Sequence, residues 1–197
     1  MNKAVFIDKD GTLIHDVPYN VQPRLIELEN YVGTSLHMLQ QQGYLLIVIS
    51  NQSGVARGYF KEEALHVVNK RITELLKPYH TTIDDFYYCP HFPDGIIKKY
   101  AIECDCRKPK AGMLLKAAAE YNIELNESWM IGDILNDAEA GNAAGCSTIL
   151  IDNGNETEWI MNEQRKPSYT VKNFKEAAEI ILQKTNSRKN MVHAELE

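Results

Sequence analysis

Four short runs in this chain are apolar with almost no interruption. They are Ala4-Val5-Phe6-Ile7, Tyr44-Leu45-Leu46-Ile47-Val48-Ile49, Trp129-Met130-Ile131 and Thr148-Ile149-Leu150-Ile151. A strand with one face in water alternates apolar and polar residues. Continuous runs instead fit strands covered on both faces, as in a parallel sheet. Helical patterns fill the gaps, at roughly 28–42 (closed by Gly43), 61–76 (before Pro78), 112–121 and 137–144 (before Gly145). Strand–helix alternation implies right-handed crossovers and an open α/β architecture: a Rossmann-like, mainly parallel sheet with helices on both faces. A closing helix is expected over 173–183. One domain spans 1–184, and the polar stretch 185–197 is expected to be a loose tail.

The 197 residues are 44% hydrophobic and 24% charged, enough apolar material for one core. A net charge of −6, with no basic stripe, argues against a nucleic-acid binder. Charges stand where a signal peptide would need an apolar centre, and the run 44–49 is far too short to span a bilayer. The expectation is a cytoplasmic protein without membrane contact, with reduced cysteines. No heptad or long apolar stripe demands a partner, so a monomer is expected.

The first apolar run ends in Asp8-Lys9-Asp10-Gly11-Thr12. Side chains two apart on a strand share a face, and ligands of open α/β sheets bind beyond the strands' carboxyl ends. Two carboxylates there suit Mg²⁺ together with covalent attack or proton transfer. The alternative is a solvated Asp-Gly turn. The second run ends in Ser50-Asn51-Gln52-Ser53-Gly54, whose hydroxyl and amides suit a phosphate oxygen or, equally, a helix cap. Gly132-Asp133 ends another run. Asp133 is a natural further Mg²⁺ ligand, and Asp137 either braces the loop or caps the next helix.

Residues 89–109 read CPHFPDGIIKKYAIECDCRKP and interrupt the α/β rhythm, as an inserted loop over about 88–108. Cys89, His91, Cys104 and Cys106 make a Cys₃His set that matches structural zinc. Four protein ligands leave no open position for an activated water, so the zinc would be a clamp. The alternative is ordinary reduced thiols. Arg107 and Lys108 follow the last ligand directly. Cys146 lies in an Ala/Gly-rich stretch and is expected in the core.

Together these pieces resemble the haloacid dehalogenase superfamily of phosphohydrolases, through "DKDGT", "SN", Lys108 and "GDILND". At closer range "NQSGVARG", "YYCPHFP" and "CDCRKPKAGML" are similar to the heptose-bisphosphate phosphatase family. Histidinol-phosphate phosphatases, the first alternative, share the acidic motif, the metal cluster and "CDCRKP" but differ after "NQ"; a nucleic-acid 3′-phosphatase and a non-catalytic zinc-stabilised binding module are the further alternatives. The resemblance implies a sugar bisphosphate as substrate, a catalytic Mg²⁺ at Asp8, the Asp10 carbonyl and Asp133, and a structural Zn²⁺ at the four cluster residues. It implies Asp8 as nucleophile, Asp10 as general acid and base, and Ser50 and Lys108 on the phosphoryl oxygens. Asp16, Tyr19, Asn51, Gln52 and Ser53 would line the sugar site, and Arg107 would reach further substrate oxygens. Two departures stand out: serine at 50 where the family has threonine, and Pro18 where the substrate loop has glycine. His15 is a partly exposed loop histidine, with substrate contact as the rival reading.

Overall fold

A computed structural model of the protein describes residues 1–194. Six strands form one sheet: β1 (Lys3–Ile7), β2 (Tyr44–Asn51), β3 (Asp85–Cys89), β4 (Trp129–Gly132), β5 (Ser147–Ile151) and β6 (Tyr169–Val171). Their order is β3-β2-β1-β4-β5-β6, and every pairing is parallel. The four apolar runs are the four inner strands. β3 and β6 are edge strands whose mixed burial, as in Asp85-Phe86-Tyr87-Tyr88-Cys89, gives no continuous apolar signal.

The helices are α1 (Val32–Gln41), α2 (Ala64–Leu76), α3 (Gly112–Tyr121), α4 (Leu135–Ala144) and α5 (Phe174–Ala194). Alternate residues of each strand feed two cores. Val5, Ile7, Leu46 and Val48 pack with Leu36, Ile72 and Phe174 of α1, α2 and α5. Ala4, Phe6, Ile47 and Ile49 pack with Leu114 and Ala140 of α3 and α4. Cys146 lies in this second core. No described helix is long and apolar enough to cross a membrane.

Several element boundaries differ from expectation, α2 starting at Ala64 and α4 at Leu135 among them, and three of the differences have clear local reasons. α1 starts at Val32 because the preceding residues are held extended: Glu29 donates to the Leu13 carbonyl at 3.1 Å, and Leu28 bridges Ile14. Cys89 belongs to β3, so the inserted loop begins after it. The expected tail is helix through Ala194, with no proline or glycine to stop it, and only 195–197 lie outside the described residues. Thr185 anchors this extension, since its hydroxyl meets Tyr44 Oη at 2.8 Å.

β1 and β4 are neighbours whose chains leave toward opposite halves of the sheet. Such a point opens a crevice beyond the strand ends. Asp8 follows β1 and Asp133 follows β4, one on each side of that crevice.

Candidate active site and cysteine cluster

Asp8, Lys108, Asp133 and Asp137 are all buried at this crevice. Lys108 Nζ pairs with Asp8 Oδ1, lies 2.7 Å from Asp137 Oδ1 and donates to the Ile49 carbonyl at 2.9 Å. Asn51 holds the Lys108 backbone from both sides, donating to its carbonyl and accepting from its amide, each at 3.0 Å. Asp133 Oδ1 accepts from the Thr12 hydroxyl at 3.3 Å, and its Oδ2 accepts from Asn155 Nδ2 at 2.7 Å. Asp8, Asp133 and Asp137 bring carboxylate oxygens within 4.8 Å of one another.

Three carboxylates face one ammonium here. Burial raises the Asp8 carboxyl well above its usual range. Lys108 opposes that, while Asp137 and Asp133 add to it. Asp133 is pushed up to about 6 by burial and then Asp137, against Asn155 and Lys108. Burial works against the Lys108 ammonium, but Asp137 and Asp8 override it and keep it protonated. The surplus negative charge and an all-oxygen donor set fit a hard divalent cation such as Mg²⁺.

The turn after β1 is shaped for this packing. Gly11 has φ +80°, and a Cβ there would collide with Asp133 Oδ2 and Asn155 Nδ2. The Asp8 and Asp10 side chains do not share partners. Asp10 Oδ1 lies 2.8 Å from Lys9 Nζ, and its Oδ2 accepts from Gln52 Nε2 at 3.0 Å. Gln52 Nε2 also donates to Ser50 Oγ at 2.8 Å, which ties β2's end to the β1 turn. Ser50 and Asn51 cap no helix, because α2 begins only at Ala64.

A cleft of about 250 Å³ opens beside Asp10. Its walls include Lys9, Asp16, Tyr19, Asn51, Gln52 and Ser53. The expected sugar-site residues therefore come together. Burial, then Asp10, raises the Asp16 carboxyl, with Lys9 opposing. Proline at 18 leaves the left-handed turn to its neighbour: Tyr19 has φ +55°. The Tyr19 ring stands edge-on to Tyr59, with centroids 4.7 Å apart.

Arg107 is not among the cleft's lining residues. It borders a second hollow of about 290 Å³ with Pro93, Ile102 and Lys110, and Nη1 donates to the His91 carbonyl at 3.4 Å. Its guanidinium and that of Arg57 lie over the Phe92 ring, at 5.4 and 3.8 Å from the centroid. His15 also lies outside the cleft lining, paired with Glu29 at 3.6 Å.

In the cluster, the sulfurs of Cys89, Cys104 and Cys106 are 3.0–3.4 Å apart, and His91 Nδ1 lies 3.4 Å from Cys106 Sγ. These sulfurs are too far apart for a disulfide, whose S–S bond is about 2.05 Å. A tetrahedral Zn–S length of about 2.3 Å gives S–S edges of about 3.8 Å, so the set fits zinc after its sulfurs spread by roughly half an ångström or somewhat more. Burial raises the Cys104 thiol, but hydrogen bonds with Cys106, Cys89, His91 and the Arg107 amide outweigh it and bring it down to about 7. A thiol so poised gives up its proton readily to a metal.

Sequence reasoning missed Lys9, whose buried ammonium has no pattern that marks it. It also missed Asn153, Asn155 and Glu156 in the loop after β5. Their position beyond a strand's carboxyl end was the available signal.

Fold and site together define a phosphatase of the haloacid dehalogenase type, and a family model described as HAD-hydrolase-like matches residues 105–177. The chain is 44% identical over 150 residues to the D-glycero-β-D-manno-heptose-1,7-bisphosphate 7-phosphatase of Haemophilus ducreyi, covering 76% of this chain and 82% of that one. The enzyme of the same name from Pasteurella multocida is 42% identical over 158 residues, covering 78% and 84%. The chain belongs to this family of heptose-bisphosphate 7-phosphatases. A solved D,D-heptose 1,7-bisphosphate phosphatase from B. bronchiseptica, complexed with magnesium and phosphate, superposes with a TM-score of 0.76. It is 26% identical and covers 92% of this chain and 99% of that one.

Proposed function

We propose that this protein removes the 7-phosphate of D-glycero-β-D-manno-heptose 1,7-bisphosphate, with Mg²⁺ as catalytic cofactor and Zn²⁺ as structural cofactor. The observation that carries the reading is the buried Asp8–Lys108–Asp133 group, tied through the Asn51–Lys108 hydrogen bonds to a cleft walled by Asp10, Asp16 and Asn51. Asp8 attacks phosphorus, forming an aspartyl-phosphate as the bond to the sugar oxygen breaks. Asp10 gives its proton to that oxygen. It then takes a proton from water, whose oxygen displaces Asp8 from phosphorus. Lys108 and Ser50 bind the equatorial oxygens as charge shifts across them. Asp137 holds Lys108 from behind.

Asp8, the Asp10 carbonyl and Asp133 would hold Mg²⁺, which screens carboxylate from phosphate and polarises the phosphoryl oxygens. Asp16, Tyr19, Asn51, Gln52 and Ser53 would orient the sugar. Arg107 would meet substrate only from the outer hollow, where its planar fork suits a phosphate. Cys89, His91, Cys104 and Cys106 would hold zinc. This reading makes the protein a cytoplasmic monomer in heptose metabolism, on the route to nucleotide-activated heptose for the cell envelope.

Phosphate release from the α- and β-heptose bisphosphates, fructose 1,6-bisphosphate and histidinol phosphate, with and without Mg²⁺, tests it. The expected result is a Mg²⁺-dependent preference for the β-heptose. Equal rates on all four would reject that substrate and leave the reaction class standing.

A further inference from the structure

The loop between β5 and β6 reaches into the acidic site with three side chains that the proposed chemistry leaves unused. Asn153 Nδ2 donates to the Gly11 carbonyl at 2.7 Å. Asn155 Nδ2 donates to Asp133 Oδ2 at 2.7 Å. Glu156 Oε2 accepts from the amide of Leu135, the first residue of α4, at 2.7 Å. The loop is braced from within, because the Asn155 backbone N–H donates to Asn153 Oδ1 at 3.1 Å and the Glu158 backbone N–H donates to Glu156 Oε1 at 2.9 Å. One short segment thus fixes the β1 turn, the Asp133 carboxylate and the start of α4 together.

This matters for Asp133 because a carboxylate that rotates freely offers its lone pairs in many directions. A hydrogen bond on each oxygen, from Thr12 on Oδ1 and Asn155 on Oδ2, sets its plane and leaves the remaining lone pairs for a cation. The Thr12 bond is the longer, at 3.3 Å against 2.7 Å, so the Asn155 amide holds the carboxylate more closely. The packing has no slack here, since even a methyl group on Gly11 would strike both Asp133 and Asn155.

We infer that Asn155 is a positioning residue for the divalent cation, holding Asp133 in its ligating orientation from the loop after β5. The inference rests on the reading of Asp8 and Asp133 as metal ligands. The test is Asn155→Leu, which keeps the side chain's branched outline at a somewhat larger size and removes the donor. Mg²⁺ binding to the zinc-loaded, substrate-free protein is measured by calorimetry, with Mn²⁺ titration by electron paramagnetic resonance as a second readout. Loss of such a supporting bond weakens metal binding by about 10–100-fold. The same factor should appear in the Mg²⁺ half-saturation of turnover, with the sugar-phosphate KM at saturating Mg²⁺ nearly unchanged. Asn155→Gln keeps the amide and should recover part of the affinity. If Asn155→Leu fails to fold by circular dichroism, Asn155→Ala is read by the same titration. A folded donor-free variant with the parent's Mg²⁺ affinity overturns the role of Asn155 alone. A parent protein that binds no Mg²⁺ overturns the metal site and the role of Asn155 with it.

Discussion

The acidic site and the cysteine cluster differ in how far the chain must travel to build them. The acidic site draws on positions 8, 108, 133 and 155, carried by the β1 turn, the inserted loop and the ends of β4 and β5. Only the assembled sheet brings these together. The cluster takes all four ligands from 89–106, and only Cys89 lies on a strand. Its remaining ligands sit in irregular chain outside any helix or strand. The comparison teaches a division of labour. The sheet positions the carboxylates of one site, while at the other a metal would tie irregular chain together. They meet at Lys108, two residues past Cys106, whose ammonium enters the acidic site.

The strongest way to separate the two is Asp8→Asn. Turnover should fall by at least about 10⁴-fold, as for removal of a nucleophile in other hydrolases, while zinc content stays at one per chain. A folded variant with near-parental rates would break the assignment of chemistry to the acidic site. Next in size is Cys104→Ser or zinc chelation. The melting temperature should drop by roughly 5–10 °C, taking 2–4 °C per kcal/mol for a domain of this size. The sugar-phosphate KM should rise on the order of tenfold, about 1.4 kcal/mol. Mg²⁺ affinity should hold, and a matching loss of Mg²⁺ binding by calorimetry would show that the sites are not separate.

Gly11→Ala probes the opposite dependence. The collision with Asp133 and Asn155, added to the positive φ, should cost about 1–3 kcal/mol, read in chemical denaturation. Zinc content should not change. The smallest effect concerns pH. Asp133, pushed up to about 6, keeps its proton in the metal-free fold after the unfolded chain has lost it. Its ionisation therefore weakens the metal-free fold as pH rises from about 4 to beyond 6, and a bound cation removes that penalty. Mg²⁺ should then raise the melting temperature by a few degrees more at pH 7.5 than at pH 5. An equal rise at both would deny Asp133 its place as a ligand.

Legibility in the sequence followed the same division. The inner strands were visible because burial on both faces leaves runs such as 44–49. The edge strands β3 and β6 were not, since half-exposed residues mimic loop composition. Asp8 and Asp133 of the acidic site stood directly after strands, where pattern and position agree. Which way they turn was hidden. Asp10 faces Lys9 and Gln52, and Arg107 borders the outer hollow, because side-chain direction beyond a strand depends on contacts between distant segments. Asn155 was passed over for a related reason: apart from its place beyond a strand's end, an asparagine beside Gly154 reads as turn chemistry, and its partner Asp133 is 22 positions away.

The placing of β1 at the heart of the sheet also sets a timetable for biosynthesis. Asp8 is made well before β4, which completes its surroundings and leads to Asp133, 125 positions after Asp8. At translation rates of about 5–20 residues per second, that is a wait of roughly 6–25 s. Throughout it the apolar β1 lacks a neighbour on one side. The nascent chain thus has reason to be shielded until its central pairing closes, and the phosphatase site can be born only after β4 has been made.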